Sequence, residues 1–174
     1  MPNLNSHDLH PAALEPGTLL KNCLERRLRR SGPGGQHRNK VETAVWLRHE
    51  PTGIEAEANE RRSQPENRQV ALFRLRVRLA VEFRMIRKPD SVPTELWRSR
   101  CLDGRVSVNP SHPDFPALLA EALDVLSMCD FEHSAAAITL GCTGSQLVKL
   151  LKDERSSFER LNHERVARGM PRLK

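Results

Sequence analysis

Ser63-Gln-Pro-Glu-Asn-Arg-Gln-Val-Ala-Leu-Phe-Arg-Leu-Arg-Val-Arg-Leu-Ala-Val-Glu-Phe-Arg84 is the stretch whose reading decides the fold. Its centre, Phe73-Arg-Leu-Arg-Val-Arg-Leu79, alternates apolar and charged residues strictly, and that period alone is the mark of a half-buried strand. The flanks oppose a strand. Ser63 with Glu66 makes a capping box, Pro65 is tolerated in a first helical turn, and Val70, Phe73, Val77 and Ala80 or Val81 recur at helical spacing. The stretch therefore predicts a helix of about twenty residues. Arg68, Arg74, Arg76, Arg78 and Arg84 are then spread round its surface, as a solvated face or as contacts to RNA.

Upstream the period changes to two. Val41, Thr43, Val45 and Leu47 alternate with Glu42, Ala44, Trp46 and Arg48, Pro51-Thr52-Gly53 supplies a turn, and Ile54 to Ala58 returns as a shorter strand. Cys23, Glu25, Arg27 and Arg29 alternate with Leu24, Arg26 and Leu28 in a further strand. A hairpin sheet packed on one helix is an α+β unit.

Between these strands stands Ser31-Gly-Pro-Gly-Gly-Gln-His-Arg-Asn-Lys40. Gly32 to Gly35 cannot hold a helix or a ladder strand, so the sequence predicts a loop of bare backbone N–H groups followed by donors suited to phosphate or an oxyanion. A Walker A loop is excluded, because Asn39, Lys40 and Val41 stand where Gly, Lys and Ser/Thr belong; the dinucleotide fingerprint is excluded by His37 at its third glycine.

Ser31 to Asn39 instead resembles the Gly-Gly-Gln loop of class I peptide chain release factors and of the codon-independent ribosome-rescue hydrolases related to them. The likeness runs from about Leu19 to Arg84 and includes Lys40-Val-Glu-Thr-Ala-Val45, Pro51-Thr-Gly53-Ile54 and Glu60-Arg-Arg-Ser63-Gln64-Pro-Glu-Asn67-Arg68. It implies hydrolysis of the ester joining a nascent peptide to tRNA, in the peptidyl-transferase centre of the large ribosomal subunit. Water is the implied nucleophile. Gln36 would stabilise the developing charge through its backbone N–H, and Gly34 and Gly35 would permit close approach. Ser31, Gly32, His37, Arg38, Asn39, Lys40, Arg29, Arg30, Arg61, Arg62, Gln64, Asn67 and Arg68 are the expected RNA contacts, and a glutamine methyltransferase acting on Gln36 is an expected partner. His37 and His49 are expected as loop or surface residues rather than general bases, and no Ser-His-Asp or Cys-His constellation is evident.

Residues 87–114 hold four prolines and read as a linker in which Trp97 docks on a neighbouring unit. Phe115 to Met128 presents Leu118, Leu119, Ala122, Leu123 and Leu126 on one broad helical face. Ser134 to Leu140, Gly141-Cys-Thr-Gly144 and Ser145 to Lys152 look like a helix-turn-helix whose second helix begins near Thr143, although a plain helical hairpin explains the same apolar spacing. If it binds, Ser145, Gln146, Lys149 and Lys152 lead, backed by Arg155, Arg160, Arg165, Arg168, Arg172 and Lys174. The expected division is a flexible tail at 1–18, a catalytic unit at 19–88, a linker at 89–113 and an all-α helix-turn-helix-like unit at 114–174.

Composition agrees with a nucleic-acid partner. The 174 residues carry a net charge of +6 with a pI near 9.6, and scarce aromatics argue against a stacking platform for single strands. Cys23, Cys101, Cys129 and Cys142 form no CxxC pair and read as reduced thiols; no metal and no cofactor is expected. The first 20 residues lack Lys and Arg, unlike a transit peptide, and no apolar run reaches the roughly 18 residues of a membrane span. A cytoplasmic monomer is expected, acting on peptidyl-tRNA and ribosomal RNA of the 23S type. No codon-reading motif is present, and the lysine-rich tail of small rescue hydrolases is replaced by the helical unit. Codon-independent rescue of stalled ribosomes or large subunits is the leading reading. The alternatives are a non-catalytic ribosome- or rRNA-binding factor retaining the fold, and a DNA-binding regulator using residues 134–153.

Overall fold

The computed structural model describes residues 9–28 and 43–174, and its architecture is α+β. After a 3-10 turn at Pro11–Ala13 and a short helix α1 (Pro16–Leu20), strands β1 (Cys23–Leu28), β2 (Ala44–His49) and β3 (Glu55–Ala58) form an antiparallel sheet in that order. Register pairs Glu25 with Leu47 and Leu47 with Ala56, so Val45, Leu47, Ala56 and Ala58 line the buried face. The period-two pattern correctly separates Val45 and Leu47 from exposed Arg48. Ala44, on the opposite parity, is buried as well.

Helix α2 (Gln64–Glu82) forms with Ser63 as N-cap, its hydroxyl accepting the Glu66 N–H. The strand-like run Phe73–Leu79 is thus helical, because the cap and the packing on both flanks outweigh the local alternation. The deepest stripe differs from the expected one: Ala71, Leu75 and Leu79 recur at four-residue spacing and are fully buried, while Val70, Phe73 and Val77 lie half-buried beside them. Arg76 is also buried, correcting its placement on the surface. Its Nε donates to the Ala12 carbonyl at 2.9 Å and its Nη1 to the Pro113 carbonyl at 2.8 Å.

Those two acceptors show what covers the far side of α2. Residues 9–18, expected as part of a flexible tail, pack into the core through His10, Pro11 and Ala12. Helix α4 (Phe115–Met128) lies against α2, and every residue from Phe115 to Leu126 is buried rather than one face only. A helix whose residues are buried on every side must be covered on every side. The cover is completed by α5 (His133–Leu140), α6 (Gly144–Lys152) and α7 (Arg155–Ala167), and one continuous apolar cluster runs from the sheet to α7. Each fully buried leucine of α4 contributes about 2 kcal/mol of transfer free energy.

The stretch expected as a linker is folded. It holds a 3-10 turn at Pro89–Ser91, helix α3 (Glu95–Arg100) and a small hairpin of β4 (Cys101–Leu102) and β5 (Arg105–Val106). Two buried carboxylates of α4 hold it down. Asp124 accepts the Met85 N–H at 3.0 Å and pairs with Arg87 at 2.9 Å and Arg84 at 3.3 Å, while Glu121 accepts the Thr94 N–H at 2.6 Å. Arg84 therefore has a buried carboxylate partner, not a place on an RNA-facing surface. Trp97 is fully buried and donates its Nε1–H to the Leu140 carbonyl at 2.8 Å, docking as expected. Among the described residues no helix is long and apolar enough to cross a membrane.

His10 is the buried group most sensitive to acid. Its Nδ1 accepts the Ala12 N–H at 3.0 Å, and burial, reinforced by the Arg84 charge, pulls its pKa from 6.5 to about 3. The unfolded chain takes up this proton first as pH falls, so the His10 contribution is complete above pH 6.5 and declines below it, by about 1.4 kcal/mol per pH unit. Denaturant titrations between pH 7 and 5 should show this decline, and His10→Asn, which keeps an acceptor but does not titrate, should flatten it; an equal slope in both proteins would contradict the assignment.

Candidate functional site

The glycine-rich segment enters and leaves the sheet at adjacent points, because Leu28 at the end of β1 and Ala44 at the start of β2 are register partners. Arg29, Arg30, Ser31, Gly32, Gly34, Gly35, Gln36, His37, Arg38, Asn39 and Lys40 lie outside the described residues. The frame that carries them is described in detail.

Asn67 is the centre of that frame. It is fully buried in the first turn of α2, where its Nδ2 donates to the Thr43 carbonyl at 2.7 Å and the Arg61 carbonyl at 3.0 Å, and its Oδ1 accepts the Arg61 N–H at 2.8 Å. Asn67 is therefore a brace and not an RNA contact: one amide ties the return of the glycine-rich segment and the 59–63 turn to the helix. Arg68 next to it donates to Glu25 of β1 at 2.8 Å. That pair is partly exposed and worth under about 1 kcal/mol, but it links the departing strand to the same turn. Arg61 and Arg62 are exposed and, among the described residues, have no ionic partner; Gln64 is half-buried.

The remaining arginines of α2 are occupied. Arg74 pairs with Glu60 at 2.5 Å and donates to the Glu57 carbonyl, and Arg78 pairs with Glu82 at 2.8 Å and donates to the Glu55 carbonyl. They staple α2 to β3. Both also line a groove of about 380 Å³ with Phe73, Val77 and Glu154, a mixed-charge surface with no convergence of reactive groups. On the outer face of the sheet Arg26 lies 5.3 Å from the Trp46 ring centre, and Trp46 donates to Glu55.

His49 corrects a further expectation, since it is buried at the end of β2 rather than on the surface. Its Nδ1 lies 2.9 Å from the Thr52 hydroxyl, which also accepts the Ile54 N–H, so the histidine secures the β2–β3 turn; burial holds its pKa below the usual value. Burial likewise pushes the Cys23 and Cys142 thiols up to about 11 and raises Cys101, which keeps them protonated and poorly nucleophilic at neutral pH.

In the helical half, Gly141 ends α5 with φ 66°, and the Thr143 hydroxyl caps α6 by accepting the Gln146 N–H. Ser145, Lys149 and Lys152 are exposed on α6 and Gln146 is half-buried. Arg165 is buried, donating to the carbonyls of Phe131 and Pro171, so it supports the fold instead of backing a binding face. Arg155 pairs with Glu159, and Arg160 and Arg168 both pair with Glu164.

A family model described as the RF-1 domain matches residues 21–100, the span that contains the sheet, the glycine-rich segment and α2. This part of the chain is similar to release-factor domains. Peptide chain release factor 1 of Streptococcus thermophilus is 48% identical over 60 residues, 34% of this chain and 17% of that factor. Peptide chain release factor 2 of Acidovorax sp. is 57% identical over 51 residues, 29% of this chain and 14% of that factor. An uncharacterized mitochondrial release factor-like protein of Saccharomyces cerevisiae is 50% identical over 52 residues, 30% of this chain and 34% of that protein. The matched segments thus span 14% to 34% of these relatives' lengths. No solved structure matches the chain.

Within the span that matches the RF-1 domain the brace at Asn67 was legible only as part of the family string, because nothing in its own spacing distinguishes a buried asparagine from a surface one. The β4–β5 hairpin went unread, although Asp103-Gly104 is a two-residue turn signal. Asn67→Ala should lower stability by about 3 kcal/mol, since three backbone groups lose their buried partner; a loss under about 1 kcal/mol in urea unfolding would refute the bracing role.

Proposed function

We propose that this chain is a codon-independent peptidyl-tRNA hydrolase that acts in the ribosomal peptidyl-transferase centre and frees stalled ribosomes or large subunits. The observation that carries the proposal is an intact Ser31-Gly-Pro-Gly-Gly-Gln-His-Arg-Asn39 string between β1 and β2, inside the span that matches the RF-1 domain. In this reading water attacks the ester carbonyl, and the Gln36 backbone N–H donates to the oxygen on which charge develops. Gly34 and Gly35 leave room for the backbone to approach. The Gln36 side chain is the site for a methyltransferase. Ser31, Gly32, His37 to Lys40, Arg29, Arg30, Arg61, Arg62 and Arg68 meet RNA phosphates, and Lys149 and Lys152 extend that contact. The hydrolase works as a cytoplasmic monomer, with residues 19–88 as the catalytic unit and 114–174 as the unit that selects the target.

The chemistry asked of the protein is mainly electrostatic: one preorganised donor at a developing oxyanion is worth about 10²- to 10³-fold in rate. Gln36→Pro, which removes that N–H, and Gly35→Ala, which fills the approach, should each reduce single-turnover peptide release from ribosomes stalled on truncated messages by about that factor. Ribosome binding should persist in both. Release at the unmodified rate by either variant would remove the hydrolase reading, and binding without release by the unsubstituted chain would favour a non-catalytic ribosome-binding factor.

A further inference from the structure

We propose that the β4–β5 hairpin acts as a wing beside α6, and that the two together form one surface that follows the phosphate backbone of duplex RNA. Helix α3 and the hairpin that follows it are fastened to the end of α5 and the turn before α6 at three successive points. Trp97 of α3 bonds the Leu140 carbonyl, Cys101 of β4 places its Sγ 3.5 Å from the Gly141 carbonyl, and the Thr143 N–H donates to the Gly104 carbonyl at 3.1 Å. Asp103 and Gly104 both have positive φ, 50° and 74°, which is the tight primed turn that keeps two short strands paired. The wing is therefore held against the N-cap of α6.

The side chains this arrangement turns outward are cationic and hydroxylic. Ser145, Lys149 and Lys152 are exposed at i, i+4 and i+7, on the side of α6 opposite buried Leu147, Leu150 and Leu151. The Ser145 hydroxyl lies 3.1 Å from that of Thr143, the residue joined to the wing, and exposed Arg105 follows Gly104 directly. Among the described residues Arg105, Lys149 and Lys152 have no ionic partner, although Lys152 lies 5.2 Å from the Phe158 ring centre, whereas Arg155 pairs with Glu159 and Arg160 and Arg168 share Glu164. Leu102 is 68% exposed at the wing tip, an apolar group available to a groove floor. Asp103 and Asp153 bracket the cations at the two ends.

The same geometry selects among nucleic acids. A helix-turn-helix reads base edges with the first turn of its second helix, and here the backbone of that turn is joined to the wing through Thr143 and Gly104. The exposed ridge that remains suits phosphates and shape. Its neighbouring ring, Phe158, is half-buried with Lys152 over it at 5.2 Å, which disfavours stacking on single strands. The hydroxyls of Thr143 and Ser145 beside the cations match the 2′-hydroxyls displayed in the wide minor groove of A-form RNA. The preference for RNA over DNA rests on the ribosomal role proposed above; the composite surface does not.

Fluorescence anisotropy of the full chain with a labelled RNA duplex of about 16 base pairs, titrated with potassium chloride, tests the proposal. Arg105→Gln, Lys149→Gln and Lys152→Gln should each weaken binding roughly 3- to 10-fold and each reduce the salt slope by about one. The wing and the helix should contribute comparably. Unchanged affinity and slope in Arg105→Gln would overturn the wing's part, and equal or tighter binding to a DNA duplex of the same sequence would overturn the assignment to RNA. Gln36→Pro should bind the duplex as the unsubstituted chain does, so failure of the hydrolase reading and failure of this one give different results.

Discussion

Helix α2 has to be covered on two sides at once, and the rest of the fold follows from that constraint. One side takes the sheet, with Arg74 and Arg78 donating to the carbonyls of β3; the other takes the amino-terminal 3-10 turn and α4, with Arg76 donating to Ala12 and Pro113. A buried guanidinium is tolerated because hydrogen bonds replace part of its lost hydration. Burial nonetheless holds its pKa below the usual arginine value. The three-stranded sheet alone would leave the second side of α2 in water. The helical half therefore completes the core of the part that carries the glycine-rich segment.

This joint burial links position to chemistry. The first turn of α2 carries Asn67 and Arg68, which hold Thr43 after the glycine-rich segment and Glu25 on the strand before it. The last turns of α2 lead into Arg84 and Arg87, which converge on Asp124 of α4. The same helix that braces the ends of the segment is thus locked at its other end to the helical half. Its rigidity serves the backbone donor that the proposed hydrolysis requires, because such a donor acts only when held in place.

The charges divide by their surroundings rather than by their place in the sequence. Arg76, Arg84 and Arg165 are structural, Arg155, Arg160 and Arg168 pair with Glu159 and Glu164, and Arg61, Arg62, Arg105, Lys149 and Lys152 have no ionic partner among the described residues. A net charge of +6 therefore understates how unevenly the cations are available to an anionic partner. Phosphate binding depends on cations that are free to release counterions.

Much of this was legible in the residues themselves. The capping box at Ser63, the turn at Pro51 to Gly53 and the helix beginning near Thr143 are local signals, each determined by backbone physics within a few residues, and each forms where the sequence indicates; the period-two strands form over Cys23–Leu28, Ala44–His49 and Glu55–Ala58, while Arg29, Val41 and Glu42 lie outside the described residues. The glycine-rich string likewise carries its family likeness without any folding. Tertiary structure alone decided the rest. That α4 is buried all round, that residues 9–18 and 89–113 enter the fold, that His49 and Asn67 face inward and that the β4–β5 hairpin sits on α6 all depend on partners distant in the chain. A pattern of residues shows which face is apolar, but only the packed chain determines what covers it and which polar groups must be satisfied there.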